Sequence, residues 1–482
     1  MDINLEDFDE IPPSVSMIES IRSFGYNFNT AISDIIDNSI TANSSKINIH
    51  LEWNKGNPYV LILDNGDGMT DEMLAKNVVL GSKNPNEIRD KNDLGRFGLG
   101  LKTASFSMAR ELHVFSKTKN ESICYRSWNL DVIEAQKRWL ISKKQPTWYD
   151  ELFEDIKIKT QGTLIVWKTC DRLLKNASTL KSFLEMGKDL IAYLGTIFSR
   201  FITSSKTLQI FVNNTKIAPW DPIPEGSTSY AEQYIQNIKI TPYVVPHQSN
   251  FKNNDDYRIA GGINGWNAQQ GFYVYRNKRL IVNGGWLGIK RMKSEEHVKL
   301  ARIIVDIDAS FDDKWQIDVL KSRASIPSGE VKILLEAIAK NTRKRADSVY
   351  RHRGKVISRE DASPEIFVWQ IKKEIDQSKS FVINREHPYV KLVRENYSGR
   401  VTDVDRLLGL IEDMLPTETI QIEKGKGTIK LFDMDYDTIQ KLFKDALLTT
   451  ESIGKSKEKA VEDLTFYEPF RSFKEQLTKD FL

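Results

Sequence analysis

The stretch "DIIDNSITANSS", positions 34–45, sets Asp34, Asp37 and Asn38 inside an otherwise apolar helical run. Asp and Asn are weak helix-interior residues, because their short polar side chains compete for the backbone. No Lys or Arg stands nearby in the sequence to neutralise the two acids. At about 100° per residue, Asp34, Asp37, Asn38 and Thr41 share one face, opposite the isoleucines at 32, 35, 36 and 40. An amide oxygen beside a carboxylate suits a hard cation such as Mg²⁺, which takes oxygen ligands and keeps waters. The other carboxylate could orient or deprotonate a water. The same stripe also describes a solvated helix face that binds nothing.

Two glycine-bearing loops add to this. "LILDNGDGMT" ends an apolar run in Asp64, Gly66, Gly68 and Met69. An Asp at a strand end can accept a hydrogen bond from an exocyclic amine, with glycines letting a flat ring approach the backbone; a plain turn is the alternative. "LGRFGLGLKTAS" places Gly95, Gly98 and Gly100 directly before a helical run, and free N–H groups at a helix start attract anions. Leu101 separates Gly100 from Lys102, so this is not a P-loop. The glycine order also differs from a dinucleotide fingerprint.

The elements that must carry these residues can be read from periodicity. "NTAISDIIDNSITA" is a helix with Asn29 or Thr30 as N-cap, and "KINIHLEW" alternates as a strand that pairs with "YVLILD" in a hairpin. "MTDEMLAKNVVLG" is helical. The polar "SKNPNEIRDKNDLGRFGLG" is a long loop of the kind that serves as a lid. "LKTASFSMAR" returns to helix, and "ELHVFSKT", "SICYRSWNL" and "GTLIVWKTC" are strands. This order gives an α/β sandwich with segregated layers, an α+β class. A second unit begins with the helix "SFLEMGKDLIAYLGTIFSRFI" and the strand–turn–strand "KTLQIFVNNTKIAPWDP". It continues through the hairpin "GFYVYRNKRLIVNGG", the strand "LARIIVDID" and a long helix starting near "IPSGEVKILLEAIAK". Beyond Gly354 the chain reads as mostly helical and charged.

The whole sequence has 482 residues and a formal net charge of +3, too long for one core and too nearly neutral for general affinity to nucleic acid. Its two cysteines exclude a disulfide framework and a cysteine zinc site. The acidic start "MDINLEDFDE" has no signal-type apolar run, and no stretch is long enough to span a membrane, so a cytoplasmic location is expected.

Taken in order, the acid-x-x-x-Asn helix, the hairpin ending Asp-x-Gly-x-Gly, the glycine lid and the distal Gly-Thr of "QGTLIVW" resemble one superfamily. It is the GHKL group of gyrase, heat-shock chaperone, histidine kinase and MutL ATP-binding proteins, over roughly residues 11–172. A looser resemblance to the transducer of MutL and MORC ATPases runs on to about residue 328. Within the group the chain most resembles prokaryotic MORC-like ATPases. The resemblance implies a Bergerat-type ATP-binding domain at residues 1–175, a ribosomal-protein-like β-α transducer at 176–355, and a mostly helical region at 356–482 for dimerisation or partner docking. It implies ATP and Mg²⁺ as ligands. Asn38 matches the Mg²⁺-binding Asn, and Asp34 stands where hydrolytic members carry a water-activating Glu. Asp64 matches the adenine-reading Asp, with Gly66, Gly68 and Met69 beside it and Thr163 in support. Lys83, Gly95, Arg96, Phe97, Gly98, Leu99, Gly100, Leu101 and Lys102 fall in the phosphate-wrapping lid. Lys321, in "WQIDVLKSRASIP", matches the transducer lysine that reaches the γ-phosphate. Asp34 is one methylene shorter than Glu, which implies slow hydrolysis.

The resemblance also implies homodimerisation on ATP binding. "KNTRKRADSVYRHRGK" concentrates Arg343, Lys344, Arg345, Arg351 and Arg353, while "YRNKRL" and "IKRMK" add Arg276, Lys278, Arg279, Lys290, Arg291 and Lys293. Such runs fit sequence-indifferent DNA binding, and equally a solvated face. Three roles therefore stand: a DNA-clamping ATPase in restriction-modification or phage defence, a nucleotide-gated scaffold recruiting a nuclease or methyltransferase, and a heat-shock-type chaperone.

Overall fold

The computed structural model describes residues 14–482 apart from 15, 24, 80–99, 153–156, 205–207, 313, 319–320, 322–323, 351–367, 374–378, 398, 415–435, 453–455 and 468. Compactness divides the chain into residues 1–347 and 348–482.

In the first unit α1 (Met17–Arg22) precedes α2 (Phe28–Thr41). A capping box starts α2: Asn27 accepts from the Thr30 N–H, and the Thr30 hydroxyl takes the Asn27 N–H. The helix therefore begins before the expected caps at 29 and 30, because Thr30 fills the reciprocal position usually held by Glu or Gln. Ile32, Ile35 and Ile36 are fully buried, each contributing roughly 1.5–3 kcal/mol.

Strand β1 (Lys46–Glu52) alternates as expected, burying Ile47, Ile49 and Leu51, and pairs antiparallel with β2 (Tyr59–Asp64). β2 is buried on nearly every residue because both its faces are covered. Val60 and Ile62 meet the main core, while Leu61 and Leu63 join Phe115, Tyr125, Tyr149, Leu164 and Val166 in a second cluster. Helices α3 (Asp71–Val78) and α4 (Gly100–Met108) follow, then β3 (Glu111–Lys117), β4 (Cys124–Asn129), α5 (Leu130–Gln136), β5 (Gly162–Lys168), α6 (Asp171–Asn176) and α7 (Leu180–Ile197).

Strands β6 (Gln209–Val212) and β7 (Thr215–Lys216) turn on Asn213 and Asn214, both at positive φ. The sequence reading gave this pair to the second unit. Instead β6 runs parallel to β1 and closes the first sheet, whose order is β4-β3-β5-β2-β1-β6-β7. Parallel pairing across so long a separation leaves no local trace.

The second sheet runs β12 (Arg279–Asn283), β11 (Gly271–Arg276), β13 (Ala301–Ile307), β10 (Ile238–Val244) and β8 (Thr228–Ser229), with β9 (Gln233–Ile235) also on β10. Tyr273, Tyr275, Leu280 and Ile304 of this sheet share one core cluster with Leu194 and Phe198. That shared core carries the start of β12 to α2.

The unit of residues 348–482 carries helices at Pro388–Asn396, Val401–Asp413, Tyr436–Ser452, Lys457–Leu464 and Lys474–Phe481. It adds a hairpin, β14 (Trp369–Lys373) with β15 (Lys379–Ile383), that the helical reading did not contain. Its core gathers Ile439, Phe443, Leu447, Val461, Leu464, Phe470 and Leu477.

Candidate functional site

Helix α2 carries two polar clusters. At its C-terminal half the Ser39 hydroxyl donates to Asp64 Oδ2 (2.9 Å), while the N–H groups of Gly66 (2.9 Å) and Thr163 (3.3 Å) donate to Oδ1. Burial pushes the Asp64 carboxyl above its ordinary range, with the Gly66, Ser39 and Thr163 hydrogen bonds pulling the other way. The Thr163 hydroxyl is 2.9 Å from Ser116 Oγ, which also accepts the Met69 N–H at 2.9 Å. Asp64 is thus tied to α2 through Ser39 and to Thr163 through its N–H, and Ser116 joins Thr163 to Met69; the motif reading singled out neither serine.

The glycines of this turn answer to the fold itself. A Cβ on Gly68, at φ +69°, would lie 1.9 Å from the Lys117 carbonyl oxygen, and one on Gly66 would lie 2.6 Å from that of Ala42. Backbone therefore fills the side-chain position at both glycines.

The second cluster rules out a solvated face at the two acids of α2. Asp34 is 2% exposed and Asp37 0%. Two cations from distant segments meet them. Lys321 Nζ donates to Asp34 Oδ1 (3.1 Å) and Asp37 Oδ2 (2.6 Å); Arg279 Nε donates to Asp37 Oδ1 at 2.8 Å. Burial works against the Arg279 charge, but Asp37 and then Asp34 outweigh it, and its pKa stands above the usual arginine value. The Tyr26 hydroxyl donates to Asp34 Oδ2 at 2.6 Å, and burial together with Asp34 holds that phenol strongly upward. Only Asn38 and Thr41 of the stripe face solvent.

Two residues assigned to the surface basic runs are in fact interior. Arg279 belongs to this cluster, and Arg276 forks onto Asp312 at 2.7 and 2.8 Å. Each was hidden in "YRNKRL", where only tertiary packing separates buried from exposed charge.

Of the lid positions, Lys83, Gly95, Arg96, Phe97, Gly98 and Leu99 lie outside the described residues. Gly100 opens α4 beside Asp34, where a Cβ would sit 3.5 Å from Oδ2. Leu101 packs partly buried on the main core. Lys102 is buried and gives its ammonium to the carbonyls of Asn77 and Val79, both at 2.8 Å, at the end of α3. It ties the start of α4 to the end of α3.

Among the described residues no group of three or more His, Cys, Asp or Glu could hold a metal. None of their helices is long and apolar enough to cross a membrane.

Residues 26–163 match the family model for histidine kinase-, DNA gyrase B-, and HSP90-like ATPases. A stretch of 97 residues is 31% identical to ATPase MORC2B of Mus musculus, covering 20% of this chain and 9% of that protein. The matched segment contains α2 with its two acids, the Asp64 turn, α4 and Thr163, but neither Arg279 nor Lys321. Residues 26–163 are therefore similar to GHKL ATPases, and a 97-residue stretch of the chain is similar to a MORC ATPase.

Proposed function

We propose that this protein binds ATP with Mg²⁺ and hydrolyses it to ADP and phosphate. The observation that carries the reading is a single helix whose one end braces Asp64 through Ser39 while its middle presents Asp34 and Asp37 to Lys321. In this reading Asp64 accepts a hydrogen bond from the adenine amine, supported by Thr163 and Ser116. Asp34 takes the proton of a water whose oxygen bonds to the γ-phosphorus, as the bond from that phosphorus to the β,γ-bridging oxygen breaks. Lys321 moves its ammonium from the acids to the γ-phosphate, offsetting the charge that develops there.

Mg²⁺ fits this site as an ion brought by the triphosphate. Asn38 is exposed next to the acids and offers one amide oxygen, while the described residues build no cage of their own. When bound, the ion would neutralise phosphate charge.

Dimerisation on ATP binding and non-specific clamping or remodelling of DNA extend the proposal, with restriction-modification or phage defence as the setting. On the helix Glu330–Tyr350, Lys344 is exposed and available to phosphates. Arg343 is engaged by Glu295 at 2.6 Å and lies over Trp286, and Arg345 covers Tyr230. Arg351 and Arg353 lie outside the described residues. Of these three described cations, Arg343 is paired, while Lys344 and Arg345 are exposed.

A second reading, a nucleotide-gated scaffold that recruits a nuclease or methyltransferase with negligible turnover, is favoured by one feature: Lys321 already occupies Asp34. Calorimetry with ATP and Mg²⁺, paired with phosphate-release kinetics, separates them. The hydrolase reading expects Asp34→Ala to keep ATP affinity and lose turnover by about 10²-fold or more. Binding and dimerisation without phosphate release, even with DNA, would establish the scaffold. Folded protein that takes up no ATP refutes both.

A further inference from the structure

The two acids of α2 are not matched one to one with the two cations. Lys321 Nζ touches both carboxylates. Arg279 gives Nε to Asp37 and Nη1 to the Lys321 carbonyl oxygen at 3.0 Å. Its Nη2 is buried, has no hydrogen-bond acceptor among the described residues, and lies 4.0 Å from Asp34 Oδ1. Lys321 itself sits at φ +49°, a left-handed conformation that a lysine keeps only when its surroundings hold it there.

We propose that Arg279 is a positioning residue for the ATPase reading above: it pins the Lys321 main chain against Asp37 and becomes the partner of both acids when the Lys321 ammonium turns to a phosphate. The inference rests on that reading for its catalytic part. Its physical basis is charge conservation in a closed space. An ammonium that leaves two buried carboxylates strands them unless another cation is already present and has a free donor. Arg279 satisfies both conditions. Asp37 keeps its Nε bond, Asp34 keeps the Tyr26 hydroxyl, and Nη2 is the unused donor at the edge of Asp34. The planar fork matters, because Nε holds a carboxylate and Nη1 a carbonyl in fixed directions while Nη2 stays aimed at the edge of Asp34. The arrangement also explains how a residue of the second sheet reports to α2: the start of β12 is tied to the nucleotide helix and to Lys321 by the same side chain.

Two measurements test this. Amine acylation of the nucleotide-free protein, read at Lys321 by peptide mass spectrometry, needs no ATP. Wild-type Lys321 should react about tenfold more slowly than exposed Lys344, Arg279→Gln should remove most of that protection, and Arg279→Lys should restore part of it. In steady-state hydrolysis, Arg279→Gln should lower kcat about tenfold or more with KM for ATP within about threefold of wild type, and Arg279→Lys should recover part of the loss. Lys321 protection retained in Arg279→Gln overturns the proposal, and so does a kcat within about twofold of wild type. If Arg279→Gln does not fold, Arg279→Lys carries both arms with a smaller expected change. Wild-type protein that binds no ATP would refute the ATPase reading alone, while the acylation result still decides whether Arg279 positions Lys321.

Discussion

Replacing Lys321 with methionine keeps most of the side-chain volume and deletes the ammonium that touches Asp34 and Asp37 at 3.1 and 2.6 Å. Each contact has a gross Coulomb attraction of about 5–6 kcal/mol at an effective dielectric near 20. Much of that is offset, since the variant no longer desolvates an ammonium. Removing one partner of a buried pair typically costs about 3–5 kcal/mol. Here the lower end applies, because Arg279 still holds Asp37 and Tyr26 still holds Asp34. The expected loss is therefore about 3 kcal/mol, roughly a 150-fold fall in the folding equilibrium. Urea unfolding followed by tryptophan emission measures it, since Trp167 and Trp315 are fully buried in this unit and urea, unlike guanidinium, does not screen charge. Pairing Lys321→Met with Asp37→Asn should recover more than about 1 kcal/mol, because a buried pair replaced on both sides is far less costly than one broken on a single side. If Lys321→Met alone unfolds within about 0.5 kcal/mol of wild type, the ammonium does not hold these acids and the account of the cluster fails.

Burial raises the Asp64 pKa, so the folded chain takes up that proton more readily than the unfolded one. Its contribution to stability is full below the unfolded value and is lost as pH rises through the raised folded value. ATP affinity should run the opposite way, falling as pH drops through the same raised value, because the ionised carboxylate is the acceptor. Asp64→Asn should weaken ATP binding by about 10–100-fold and flatten both dependences; melts and calorimetry that keep the wild-type pH slopes would contradict this. Gly68→Ala should destabilise by more than about 2 kcal/mol, combining left-handed strain with a clash at the Lys117 carbonyl. Gly288→Ala, at φ +70° with nothing within 4 Å, supplies the strain alone and should lose less; equal losses in thermal melts would remove the clash from the account.

Much of the first sheet was legible because it is built from local signals. The strict alternation of "KINIHLE" set β1, and the short turn before "YVLILD" set the hairpin that pairs Ile47 with Asp64. The Asn213–Asn214 turn was equally readable, but the partner of β6 was not, since parallel pairing with β1 depends on chain more than 150 residues away. β10, the central partner of β13, also escaped notice: Pro242 interrupts "IKITPYV", and a proline within such a run argues against an interior strand.

The candidate site divides the same way. The types and spacing of Asp34, Asn38, Asp64 and Thr163 are written locally, because each is needed at a fixed place on its own helix or strand. Charge pairing is not local. Asp34 and Asp37 looked unneutralised because their cations arrive from 279 and 321, and Arg279 looked like surface charge because nothing in "YRNKRL" records which side of a strand faces a core. Sequence determined the motif residues and the elements that bear them; tertiary structure alone decided that these acids are buried and already held. The reason is that local periodicity fixes which way a side chain points along its own element, whereas the electrostatics of a buried group depend on whatever the rest of the chain packs against it.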